Sequence, residues 1–194
     1  CVTVSAGIDA GQPWRRSFAD NITYTDWQRD NYWRAVLSIT GKGAVIGYEG
    51  DHLTLMQRDK LEDFLEPAVM VDLFETTMRQ RMHKSPAEIA YMRRAGEIVT
   101  EMHAVIAEVA EPGMQKNALV AEILKAGALG TRGAWGDYPA IVPMTPSGMD
   151  ATAPHLTWDG RPFAEGEATF FEIAGCYRRY HVPFCRPVFL GEPP

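Results

Sequence analysis

Apolar positions recur along this chain with two different periods, and those periods mark out its elements. Val2-Thr3-Val4-Ser5 alternates as a strand, and Gly7 to Trp14, rich in Gly and Pro, reads as a loop. Asp26 can cap a helix whose apolar face carries Trp27, Trp33 and Leu37. Ala44 to Tyr48 reads as a strand, Leu55 to Leu65 as a helix and Val69 to Leu73 as another strand. Strands alternating with helices predict an α/β unit.

The pattern changes at Lys84-Ser85-Pro86-Ala87-Glu88. Ser85 suits a helix N-cap, Pro86 the first helical position, and Glu88 completes a capping box. Ile89, Met92, Gly96, Val99, His103 and Ile106 then share one helical face, ending before Pro112-Gly113. A second helix covers about Gln115 to Leu129, followed by strands at Tyr138 to Met144, Glu167 to Ala174 and Tyr177 to Leu190. We therefore expect a boundary at the Ser85 cap, with an α/β domain over 1–84 and an α+β domain over 85–194.

Composition narrows the function classes. The chain has 194 residues, 46% of them hydrophobic, and a net charge of −6 from 19 basic and 25 acidic side chains. That balance fits a globular protein and offers no basic stripe for nucleic acid. No apolar run approaches the roughly 20 residues that span a bilayer. Cys1, Cys176 and Cys185 are an odd number, too few for a disulfide scaffold, which makes the cytoplasm the expected compartment. Cys1 stands in place of an initiator Met, and Val188-Phe189-Leu190 ends the chain in a strand. The expectation is a segment of a longer protein, since a sheet cut at either end leaves an unpaired edge.

Few residues carry chemistry. Glu172 follows Phe170 and Phe171 within an apolar strand, so it either faces solvent or is a buried carboxylate needing a partner or a function. If the hairpin turns near Tyr177-Arg178, Glu172 faces Pro183, which has no ligand atom and cannot donate to a ladder. His155 lies in a loop between Ala153-Pro154 and Leu156-Thr157-Trp158, as a structural residue or as an acid/base. His181 and Cys185 share a strand face near Cys176, but their irregular spacing disfavours zinc. His52 and His103 read as surface or core residues. The pairs Arg15-Arg16 and Arg178-Arg179 are solvated or clamp a carboxylate.

Several of these segments resemble the creatinase and aminopeptidase P family, whose catalytic domain has the pita-bread fold. The resemblance is carried by Ile8-Asp9 with Gly11 to Arg16, by Asp20-Asn21-Ile22 and Tyr24 to Tyr32, and by Met82 to Glu88. Ser147-Gly148 followed by His155 resembles the family's active-site loop. The resemblance implies that 1–84 is the C-terminal part of a creatinase-type N-terminal domain and 85–194 the first half of a pita-bread domain. It also makes His155 the catalytic acid/base. The family's metallopeptidases carry two aspartates where this chain has Glu172 and Pro183, so no metal, and no other cofactor, is expected.

The creatinase pattern is matched only in part. Tyr138 to Pro146 replaces its aromatic run before Ser-Gly, and Cys185 stands where creatinase uses a substrate-binding glutamate. Ala153 to Trp158 with Phe170 to Gly175 looks most like the metal-independent members that open the cyclic amidine of ectoine to an N-acetyl-diaminobutyrate. On that resemblance Glu172 and His155 are catalytic, and Thr145, Trp158, Phe171 and Tyr180 bind substrate. The implied partners are a small zwitterionic substrate and a second copy of the chain, with no nucleic acid or membrane. Further family residues are expected beyond Pro194 and before Cys1. Competing expectations are an amidinohydrolase acting on another amidino or guanidino acid, a metal-dependent Xaa-Pro peptidase disfavoured by Pro183, and a non-catalytic binding domain.

Overall fold

The computed structural model describes residues 1–25, 28 and 30–192, which divide into two units, Cys1–His83 and Lys84–Pro194. In the first unit, β1 (Val2–Ala6) leads through a 3-10 turn and α1 (Gly11–Arg16) to β2 (Asp20–Tyr24), which pairs parallel to β1. The Gly/Pro-rich stretch read as a loop is thus partly helical. Pro13 sits in the first turn of α1, where its missing N–H has no helical partner to lose. The proposed cap Asp26, with Trp27, lies outside the described residues. The helix itself, α2 (Asn31–Thr40), starts after Asp30 and buries Trp33.

β3 (Val45–Tyr48) and β4 (Val69–Asp72) form a second parallel pair joined by α3 (Leu55–Leu65). Thr54 and Gln57 cap α3 reciprocally, each side chain bonded to the other's backbone N–H. Trp33, Leu61 and Leu65 form the buried centre of this unit, with Ile46, Tyr48 and Met70 packed around them. A short helix, α4 (Thr76–Met82), follows.

The second unit opens on α5 (Pro86–Val109). Ser85 Oγ accepts the Glu88 N–H and Glu88 accepts the Ser85 N–H at 2.7 Å, the capping box expected from the sequence. Helix α6 (Lys116–Leu129) packs on α5, and α5 lies against the antiparallel hairpin of β5 (Ala168–Tyr177) and β6 (Tyr180–Phe189). Ile98, Met102, Ile106, Leu119, Ile123, Phe171 and Ile173 form the core between them. Gly175 lets α5 close on the sheet, because a Cβ there would lie 2.2 Å from the Ala95 carbonyl oxygen.

The strand expected over Tyr138 to Met144 does not form. Met144 alone makes ladder contacts, pairing with Glu172 on one side and Thr157 on the other. Prolines at 139 and 143 withhold the donors a continuous strand would need, and side chains of the hairpin hold this stretch instead. Arg179 donates to the Tyr138 carbonyl, and His181 Nε2 accepts the Ala140 N–H at 2.9 Å.

Candidate active site

The hairpin register decides what stands beside Glu172. The turn residues are Arg178 and Arg179, both left-handed (φ +47° and +65°), so the last ladder pair is Tyr177 with Tyr180. Two positive φ values match the twist of a two-residue hairpin loop, although Gly or Asn usually supplies them. The Asp137 carboxylate accepts the Arg179 N–H at 3.2 Å, and the Arg179 guanidinium lies 4.0 Å from the Tyr138 ring centroid. With the turn there, Glu172 opposes Cys185, and Pro183 opposes Ala174. This corrects the expected Glu172–Pro183 pairing by two residues. A two-residue shift keeps every side chain on its face, so Pro183 still shares the face of Glu172.

Alternation along β5 separates two environments. Phe171 and Ile173 enter the core, while Phe170 and Glu172 line a cavity of about 300 Å³ on the other side. Met144 and Pro146 wall this cavity beside β5. Met144 and Glu172 exchange both backbone hydrogen bonds at 3.0 Å, and Pro146 accepts the Phe170 N–H at 3.1 Å. Ala151, Pro154 and His155 close it from the loop, and Cys185 from β6.

Two anchors hold the His155 loop. On one side a 3-10 turn (Gly148–Thr152) is fixed by the Arg161 guanidinium, which binds both Asp150 and Asp159. On the other side the Leu156 carbonyl accepts the Thr145 N–H at 3.2 Å. Between them His155 takes a left-handed conformation with φ +69°, which His adopts more readily than most side chains and which collects at functional sites. His155 Nε2 lies 3.9 Å from Glu172 Oε2. The imidazole is 70% exposed and the carboxylate 34%, so the pair contributes little stability, and its geometry matters for chemistry. Burial, then the Glu172 carboxylate, pushes the Cys185 thiol above its ordinary pKa.

Of the six residues expected to form the site, Glu172 and His155 meet in this cavity; the other four do not line it. Phe171 is fully buried in the core, on the opposite face of β5. Tyr180 stands at the hairpin tip, where its hydroxyl donates to Glu88 at 2.7 Å. Thr145 is buried behind the wall, its hydroxyl without a hydrogen-bond partner among the described residues. Trp158 is half-buried beyond the Met144–Thr157 bridge. The apolar wall of Met144, Pro146 and Phe170 was not expected as part of the site. Only Phe170 left a signal, two residues from Glu172 and hence on its face. A larger hollow of about 540 Å³ in the first unit borders Asp30, but that carboxylate is already paired with Lys60 at 2.9 Å.

A helix pair on a hairpin, with an acid and a histidine on the far face, is the opening portion of the pita-bread fold. Two solved prolidases share this architecture over the whole of the chain. The prolidase from Pyrococcus furiosus has a TM-score of 0.82 at 16% identity, and that from Pyrococcus horikoshii 0.84 at 17%. The chain covers 54% and 52% of those two chains. Residues 90–194 match the metallopeptidase family M24, and the chain belongs to that family. Ectoine hydrolase of Halomonas elongata is 60% identical over 123 residues, which are 59% of this chain and 30% of that protein. Creatinase of a Bacillus species is 42% identical over 117 residues, 58% of this chain and 28% of that protein. The aligned region thus spans less than a third of these relatives' own length.

A catalytic metal needs several side-chain ligands and an open position. The described residues do not fit one. Pro183 supplies no ligand atom, His181 Nε2 already accepts a backbone N–H, and no group of three or more His, Cys, Asp or Glu is placed to hold an ion among the described residues.

Proposed function

We propose that this chain belongs to a metal-independent hydrolase that opens the cyclic amidine of ectoine, with Glu172 and His155 acting on the ring. The observation that carries the reading is the acid and the histidine 3.9 Å apart in a cavity with apolar walls. The 60% identity to ectoine hydrolase supports the choice of substrate.

Ectoine carries a delocalised amidinium and a carboxylate, and its planar N–C–N cation suits a carboxylate as a two-point, charge-assisted partner. Glu172 meets that cation beside the apolar side chains of Met144, Pro146 and Phe170, which lower the local dielectric and strengthen the contact. Hydrolysis adds one oxygen to the central amidine carbon, from a water that Glu172 orients or by direct attack of Glu172 to form an acyl-type intermediate that water then cleaves. The tetrahedral centre collapses by breaking one ring C–N bond, and the departing nitrogen takes a proton from His155. The products are an amide and an ammonium group on one opened chain.

Steady-state turnover of ectoine by the complete protein tests the reading, with the opened N-acetyl-diaminobutyrate as the product sought. Undiminished turnover after exhaustive chelation is the expected result. Activity lost with EDTA and restored by Mn²⁺ or Zn²⁺ removes the metal-independent mechanism. A homodimer belongs to the same proposal, and light scattering on the complete protein measures it. The second reading, a guanidino acid as substrate, is favoured by the 42% identity to creatinase.

A further inference from the structure

The loop that carries His155 is tied to the helices through one side chain. Residues Arg161 and Phe163 are fastened to the turn between α5 and α6 by backbone hydrogen bonds. The Lys116 N–H donates to the Arg161 carbonyl at 3.1 Å, and the Phe163 N–H to the Met114 carbonyl at 2.9 Å. The Gly113 N–H donates to the Phe163 carbonyl at 2.8 Å, and the Phe163 ring is buried in the core. On this fixed base the Asp159 carboxylate accepts the Arg161 backbone N–H at 2.8 Å and its Nε at 2.7 Å. Those two bonds aim the guanidinium, whose Nη2 also donates to the Asp150 carboxylate in the loop.

Little freedom remains between Asp150 and His155. The Asp150 N–H donates to the Ser147 carbonyl at 3.1 Å, and the Asp150 carbonyl accepts the Ala153 N–H at 3.0 Å. Pro154 then has a fixed φ. Asp150 thus sets where the chain arrives at His155, whose left-handed backbone has to be held from outside. The Arg161 side chain is 63% exposed, and those of Asp150 and Asp159 37% and 40%. Ion pairs that exposed contribute little to global stability, so removing them frees the loop and leaves the core intact. We propose that Arg161 is a positioning residue, which holds His155 beside Glu172 by way of Asp150 and takes no part in bond making or breaking. The proposal rests on reading His155 as the acid/base of amidine hydrolysis.

The test compares the complete wild-type protein with Arg161→Ala and with Asp150→Asn. The second variant breaks the same contact from the loop side and keeps the test decisive if the first fails to fold. Hydrogen exchange read by mass spectrometry is expected to be about tenfold faster in peptides covering 147–157 and unchanged in those covering α5 and β5. Ectoine kcat is expected to fall about 10- to 100-fold, the effect of displacing a catalytic group by about 1 Å. KM, and the binding of acetamidinium as a probe of Glu172, are expected to hold. Because Arg161 acts through His155, adding Arg161→Ala to His155→Ala is expected to cost nothing more. Unaltered exchange in the loop, exchange that rises equally across α5 and β5, or kcat losses that add in the double variant would each overturn the assignment. A wild type that leaves ectoine intact removes the reaction instead, and the exchange pattern then decides alone whether Arg161 holds the loop.

Discussion

The two faces of β5 have opposite tolerances although their residues alternate along one strand. Phe171, Ile173 and Gly175 face the helices, where no space is left and every methyl counts. Phe170 and Glu172 face a cavity, where shape is loose and charge counts. Neighbouring residues can therefore fail in different ways. Damage on the core face should appear in stability, and damage on the cavity face in turnover.

The strongest test of that contrast is Gly175→Val. Its first side-chain carbon would overlap the Ala95 carbonyl oxygen, a backbone atom that cannot swing aside, so no folded protein is expected by circular dichroism or soluble yield. Phe171→Ala comes next. Emptying a fully buried aromatic site should cost about 3–5 kcal/mol of stability, read from urea unfolding of the second unit. On the cavity face, His155→Ala should lower ectoine turnover by about 10²- to 10⁴-fold while sparing stability and the binding of acetamidinium. Glu172→Gln should damage both turnover and binding. Equal stability losses in Phe171→Ala and Glu172→Gln would erase the distinction between the faces.

Smaller effects are expected where the hairpin tip meets the start of α5. Ser85→Ala removes one half of the capping box and should cost about 0.5–2 kcal/mol in thermal or urea unfolding. The backbone N–H of Ser85, then the Tyr180 hydroxyl, hold the Glu88 carboxyl at about 2 against an ordinary 4.5. A depressed carboxyl stabilises the fold in its ionised form. Its contribution is complete above pH 4.5 and is lost as pH falls toward 2. Melting temperatures taken across that window should fall less steeply for Glu88→Gln than for wild type, and parallel curves would show that the contact contributes nothing.

Much of this was legible without coordinates, because local chemistry fixes it. Helix α3 runs from Leu55 to Leu65 as its apolar spacing predicts, and α5 begins at its capping box, since an N-cap needs only residues three apart. Glu172 and His155 could be named as candidates, one a charge in an apolar strand and the other a histidine in a turn-rich loop. Their separation of 17 residues says nothing of a 3.9 Å approach. The register was misread for a related reason. A Tyr177-Arg178 turn and an Arg178-Arg179 turn are equally plausible by residue type, and contacts from Asp137 and Tyr138 accompany the latter.

Periodicity thus determined by itself where α3, α5 and α6 lie, where the hairpin lies and which residues alternate on it. Tertiary structure decided which of the two alternating faces would be core. Phe170 and Phe171 are chemically the same residue, and the packing of α5 against Gly175 buries one and leaves the other to wall the cavity. The same packing sent Phe171 and Tyr180 away from the site and put Cys185 opposite Glu172, because a period of two records that faces differ and carries no information about what will cover them.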